Sequence, residues 1–235
     1  MSILRSLSLA AAMAVTAMPA SAITINSAYG YWESSDPAVL GVGSSLIQWG
    51  TDAGYGLSGY QYDAPTTPFE ADVDTNFVLG TFTHQNNPIS GNPADDLNTA
   101  NLLVQISVDG VSDAIDLIFS FEHWETPNRA NPCANGEAHG VGVNSNGCAD
   151  RVIATFNEAS VSSFILDGIE YTLSFSGLMH GSELLDEFWT RERQDNSAQL
   201  IGHLTAEEIP QTPLPASSLL LLGGLAGLAL ARRRR

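Results

Sequence analysis

The chain holds 235 residues with 26 acidic side chains, nine basic ones and no lysine, for a formal net charge of −17. Such a surface repels nucleic acid and anionic lipid, which leaves both poor partners. Without lysine there is no P-loop and no Schiff-base chemistry.

The N-terminus reads as an export signal in residues 1–22. Met1–Arg5 is a short charged start, Leu7–Met18 an apolar run, and Ala20-Ser21-Ala22 a small-residue cleavage site. Cleavage after Ala22 makes Ile23 the first residue of the mature chain. No Arg-Arg pair stands near the start, so the general secretory (Sec) route is expected. Between residues 23 and 211 only Arg129, Arg151, Arg191 and Arg193 offset the 26 acids, a net charge of about −22. Divalent cations, basic partners or a hydrated matrix suit this charge, as does solubility alone.

Residues 23–206 read as one all-β exported domain. Short β-rich runs lie between Gly, Asn, Asp and Pro clusters: Ala28–Trp32, Leu46–Trp49, Gly59–Tyr62, Asn76–His84, Asn101–Val108, Ala114–Trp124 and Arg151–Phe156. Ser162–Leu166 and Ile169–Phe175 follow, joined by Asp167-Gly168, a strong hairpin signal. The spacing predicts an antiparallel β-sandwich of jelly-roll type. Ser182–Arg193 is the exception. Leu184, Leu185, Phe188 and Trp189 recur at helical spacing behind Ser182, although Glu187–Glu192 also reads as a strand. Ala198–Leu204 is the expected last strand, and residues 207–211 form an acidic, proline-ended stalk.

Cys133 and Cys148 are the two cysteines, an even count that reads as a disulfide in an oxidising compartment. The alternative is a metal pair, for which His139 is the one further ligand nearby. The bridge would pin Thr126–Asp150, a 25-residue Asn/Gly/Pro/Ala loop longer than compact domains usually carry without a function.

Asp72-x-Asp74-x-Asn76 opens like a Ca²⁺ loop but lacks the EF-hand glycine and glutamate. On a strand the three would share one face and a cation, and the plainer reading is a solvated strand end. Glu122, His123 and Glu125 end the most hydrophobic run, with His123 and Glu125 on one face and Glu122 and Trp124 on the other. With His84 and His139 they are candidates for a metal site or an acid–base pair; the plainer reading is packing and hydrogen bonding. Trp32, Trp49, Trp124, Trp189, Tyr29, Tyr31, Tyr55, Tyr60 and Tyr62 are either core residues or sugar platforms. No hydrolase or zinc-protease signature appears, and the aligned carboxylates of the laminarinase-like jelly rolls are absent. No catalytic residue is assigned.

The C-terminus carries three features in order: Thr212-Pro213-Leu214-Pro215-Ala216, an apolar run to Ala231, and four arginines. Leu214–Ala231 spans 18 residues, short but sufficient for a membrane helix. Arg232, Arg233, Arg234 and Arg235 would hold the cytoplasmic side. This arrangement resembles the PEP-CTERM class of sorting signals, in the variant whose motif reads Val-Pro-Leu-Pro-Ala, with Thr212 in place of valine. The resemblance implies recognition by an exosortase-type membrane protease and removal of the helix and arginines. Delivery would be through an inner-membrane intermediate to the cell surface or extracellular matrix of a Gram-negative-type bacterium.

Phe82-Thr83-His84-Gln85-Asn86-Asn87-Pro88-Ile89, Glu125-Thr126-Pro127-Asn128 and Asn146-x-Cys148-Ala149-Asp150 together are similar to the choice-of-anchor K domain. That family is defined by its anchoring signals and implies no reaction. The reading is therefore a non-catalytic surface or matrix protein associated with exopolysaccharide. One alternative is a secreted carbohydrate-active enzyme using Glu122 and Glu125; the other is a Ca²⁺-stabilised adhesion module.

Overall fold

The computed structural model describes residues 22–90, 96–156 and 162–209. Most of the export signal, including Ala20, and the whole sorting signal, from Thr212 through Arg235, lie outside the described residues. Among those described, no helix is long and apolar enough to cross a membrane.

In chain order the strands are β1 (Ile23–Asp36), β2 (Leu46–Trp49), β3 (Thr51–Asp52), β4 (Ser58–Asp63), β5 (Phe69–Ala71), β6 (Asn76–Asn86) and β7 (Ile89–Ser90). They continue with β8 (Thr99–Val108), β9 (Ile115–Trp124), β10 (Asp150–Phe156), β11 (Ser162–Leu166), β12 (Ile169–His180), β13 (Glu183–Leu185), β14 (Phe188–Thr190) and β15 (Gln194–Glu208). One sheet runs β14-β10-β9-β8-β1-β5 and the other β11-β12-β15-β6-β4-β2, with β13 against β12 and a small β3–β7 ladder apart. Every pairing between these strands is antiparallel. The β11–β12 hairpin turns at Asp167 and Gly168, both at positive φ (52° and 82°), as a two-residue turn matched to strand twist requires.

The two sheets meet through aromatic rings. Trp32 of β1 and Phe121 of β9 face Tyr60 of β4 and Phe82 of β6, with ring centres 5.1 Å apart for Trp32–Phe121 and 4.8 Å for Phe82–Phe121. All four side chains are buried. Strand alternation explains the selection, because the buried residues of β9 recur in strict period two at Leu117, Phe119, Phe121 and His123. Tyr62 lies between the sheets as well. One edge of its ring lies where a Cβ on Gly30 of β1 would come within 2.6 Å, and the other edge lies against Gly80 of β6. Its hydroxyl donates to the Leu79 carbonyl at 2.7 Å.

Two sequence expectations change here. Ser182–Arg193 is not a helix, and the strand alternative over Glu187–Glu192 holds at its centre: Glu183–Leu185 pairs with β12 in one sheet and Phe188–Thr190 with β10 in the other. The helical spacing of Leu184, Leu185, Phe188 and Trp189 arises from two short strands separated by a turn as the chain crosses between sheets. The last strand is also longer than Ala198–Leu204, running to Glu208 and taking up two residues assigned to the stalk. It is held on both sides, by β12 and β6.

The long loop is tied down. Cys133 and Cys148 form a disulfide with Cα atoms 5.3 Å apart. Buried Asn144 accepts from the Ala149 amide at 2.9 Å and donates to Asn135 at 3.0 Å. Thr126, at the loop's start, donates to the Ala149 carbonyl at its end.

Candidate functional site

At one end of the aromatic core both sheets contribute polar side chains to a buried cluster. The β4–β6 register sets Tyr60 opposite His84, and the β10–β14 register sets Asp150 opposite Thr190. β9 delivers His123, its last inward residue, and Glu125 follows two positions later on the same face. Glu192 comes just after β14. His84, Asp150, Thr190 and Glu192 are all 0 % exposed, and His123 is 7 % exposed.

The hydrogen bonds fix orientations. Tyr60 Oη lies 2.6 Å from His123 Nδ1, and His123 Nε2 lies 3.3 Å from Glu125 Oε2. Thr190 Oγ1 donates its single proton to the Asp150 carbonyl at 3.2 Å. His84 Nδ1, 2.8 Å from the same oxygen, must therefore be the donor in that pair. Neutral His84 then presents Nε2 as a bare lone pair, and that atom has no hydrogen-bond partner. Asp150 Oδ1 accepts the Thr126 amide at 2.7 Å, whereas Oδ2 receives no hydrogen bond of good geometry. The nearby Asn86 amide group donates to the Thr190 carbonyl at 3.0 Å and also acts on the Asp150 carboxyl. One donor atom from each of His123, Glu125 and Asp150 lie within 4.8 Å of one another, the one such group of three among the described residues.

Burial sets the electrostatics. Glu125 is pushed up to about 8, first by desolvation and then by Glu192 and Asp96. Glu192 rises to about 7 by desolvation, with Asn128, Arg193 and a hydrogen bond to the Asp150 carboxyl opposing. Asp150 rises for the same first reason, then by repulsion from Glu125 and Glu192. His123 falls to about 3 through desolvation, which Asp96 only partly offsets, and desolvation and His123 lower His84. Tyr60 is held un-ionised by burial.

A pH prediction follows for protein in chelator-treated buffer. The raised carboxyls keep protons that the unfolded chain releases above about pH 4.5, so their stabilisation is lost as pH rises through 7 and 8. The lowered histidines act oppositely, losing stability as pH falls below about 6.5. Above pH 6.5 the acids alone operate, so the thermal midpoint should drop between pH 6.5 and 9. A flat or rising midpoint would count against a protonated cluster.

Of the residues singled out in the sequence, His84, His123 and Glu125 come together here. Glu122 does not: strand alternation turns it to the exposed outer face opposite Ile153. His139 is exposed on the loop, away from the cluster. Asp72, Asp74 and Asn76 do not share a strand face, because Val73 and Asp74 form a turn with Asp74 at φ 58°, and all three are exposed. Asn76 instead lies 3.0 Å from His203 Nδ1 and accepts from Ser176 at 3.2 Å. Asp150 and Glu192, central to the cluster, belong to none of the candidate sets read from the sequence. Their one sequence signal is position, close behind the second cysteine and just after the Phe-Trp-Thr strand.

Trp32, Trp49, Tyr60 and Tyr62 are core residues. Tyr29, 54 % exposed, stacks with Tyr31 at 6.5 Å on the outer face of β1. Trp124 is exposed beneath the Arg151 guanidinium at 5.1 Å. A cleft of about 410 Å³ lined by His180, Phe188, Trp189, Arg191 and Asn196 lies nearby but does not take in the buried acids. No family model matches the chain, and a search of curated proteins finds no match.

Proposed function

We propose that this chain is an exported cell-surface or extracellular-matrix protein, sorted by an exosortase-type C-terminal signal, whose jelly-roll-like sandwich binds exopolysaccharide without catalysis. What carries the reading against a carbohydrate-active enzyme is the separation of its acids. Glu122 stands on the outer face of β9, while Glu125 turns into the buried cluster with a side chain 13 % exposed. Glycoside hydrolysis needs two carboxyl groups flanking one bond, and these two face opposite sides of a sheet. The sequence order of export signal, disulfide-bearing acidic domain, motif, apolar run and arginines supports the sorting part.

Tyr29, Tyr31, Tyr55 and Trp124 are aromatic surfaces offered to sugar rings. Replacing Tyr29 and Tyr31 together by alanine should weaken binding to exopolysaccharide from the native cells about tenfold, a loss of about 1.4 kcal/mol. Glu122→Gln and Glu125→Gln should leave binding unchanged, with no reducing ends released by any form. Reducing ends released by the parent protein and lost in either variant would replace this reading with the enzyme. Intact mass from native cells tests sorting: a chain starting at Ile23 and lacking the arginines is expected, whereas one retaining Arg232–Arg235 would mean a plain membrane anchor.

A further inference from the structure

We propose that His123, Glu125 and Asp150 form a binding site for one divalent transition-metal ion of the zinc class, and that the ion staples both ends of the Thr126–Asp150 loop to the sandwich. The proposal stands independently of the surface and polysaccharide reading.

Geometry comes first. A tetrahedral ion with bonds of about 2.0–2.1 Å holds its ligand atoms about 3.3 Å apart. His123 Nε2 and Glu125 Oε2 are already 3.3 Å apart, and an Asp150 oxygen completes a group spanning no more than 4.8 Å. Small side-chain adjustments close that group around an ion. The donors sit on firm supports, since His123 is the last inward residue of a central strand and Asp150 begins another, and the Thr126 amide fixes Asp150 Oδ1.

A second observation points to a ligand. Asp150 Oδ2 is fully buried and, with the Asn86 amide and the Glu192 carboxyl as side-chain polar neighbours of its carboxyl, receives no hydrogen bond of good geometry, although buried carboxylate oxygens ordinarily find a partner. Around it Glu125 and Glu192 add further acid, with Arg193 the one cation that bears on Glu192. A divalent ion answers both the orphaned oxygen and the gathered charge.

The donor set selects the class. Ca²⁺ takes six to eight oxygens and Mg²⁺ keeps its waters, while an imidazole with carboxylates suits zinc and its neighbours. Tyr60 supplies the outer support. With the ion on Nε2, His123 carries its proton on Nδ1 and donates it to the Tyr60 oxygen 2.6 Å away, the usual arrangement for a ligating histidine. Metal binding displaces the proton shared between Nε2 and Glu125 and any proton on Asp150, so it releases protons to solvent.

The test uses the full-length protein stripped with chelator and titrated with ZnCl₂ by calorimetry, with Co²⁺ absorption as a spectroscopic report of ligand geometry. One zinc per chain with a Kd of about a micromolar or tighter is expected, as is a thermal midpoint raised by about 5 °C or more at hundredfold excess over Kd. Asp150→Asn and Glu125→Gln should each weaken zinc binding at least a hundredfold and abolish the Co²⁺ visible bands. Glu122→Gln, on the outer face, should change neither. Glu125→Gln lies at the cluster's rim, so it keeps the test open should Asp150→Asn fail to fold. Zinc binding that survives in Glu125→Gln, absence of binding in the parent protein, or Ca²⁺ binding tighter than zinc would each overturn the proposal.

Discussion

Replacing Gly80 by alanine should destabilise the fold by about 2–4 kcal/mol. Two costs combine. Gly80 sits at φ +153°, a conformation that side-chain-bearing residues rarely adopt, and an added Cβ would lie 2.8 Å from Tyr62 Cζ. The ring has no room to retreat, because its other edge is set against Gly30, where a Cβ would come within 2.6 Å. Its hydroxyl is also committed to the Leu79 carbonyl. Gly43→Ala is the control. Gly43 has φ +92°, and an added methyl there would meet no atom within 4 Å, so only backbone strain acts, about 1 kcal/mol. Denaturant unfolding should separate the two variants by at least about 1 kcal/mol, and Tyr62→Leu should recover part of the Gly80→Ala loss. Equal losses at Gly80 and Gly43 would mean that the ring does move aside.

Removing the disulfide, with Cys133 and Cys148 both changed to alanine, should cost about 3 kcal/mol on the loop-entropy argument. The loss should also be local in character. Cys148 stands two residues before Asp150, and the intervening Ala149 is bonded through its amide to Asn144 and through its carbonyl to Thr126. Freed of the bridge, the loop should become the first site of limited proteolysis, with cuts between residues 126 and 150, while the aromatic core stays protected. Zinc affinity should fall with it, because Asp150 loses part of its support. Unchanged unfolding and unchanged proteolysis would show that the asparagine hydrogen bonds alone hold the loop.

Much of this fold is legible in the sequence, for one physical reason. Strands that bury one face alternate, as β6 and β9 do, and β8 is marked by the continuous apolar run Leu102-Leu103-Val104, so all three are read with errors of two residues or fewer at their ends. The Asp167-Gly168 turn is equally local. β3, β5 and β7 are not legible, because two or three residues carry no periodicity. The Ser182–Arg193 segment misleads because helical spacing and two inward-turning strand fragments place apolar residues at similar intervals. The cluster divides the same way. His123 and Glu125 share a face by strand period, which is local information. Asp150 and Glu192 join them only through the pairing of β10 with β14, and apart from their positions behind Cys148 and the Phe-Trp-Thr strand nothing in the sequence distinguishes them from the other acids. Glu122 and His139 attract notice by proximity along the chain, and proximity along the chain is what a sheet's two faces and a folded loop undo.

The position of β15 bears on what happens when the chain is pulled. Residues beyond 209 follow directly on this strand, whose last stretch, Leu204 to Glu208, pairs with β12 alone, while residues 199–203 are flanked by β12 on one side and β6 on the other. A rim strand peels away one hydrogen bond at a time, whereas a strand gripped on both flanks distributes the force over two ladders. Tension from the C-terminal side therefore meets the β12 ladder first, at the Ile169–Glu208 pair, and reaches two ladders at once only from His203 inward.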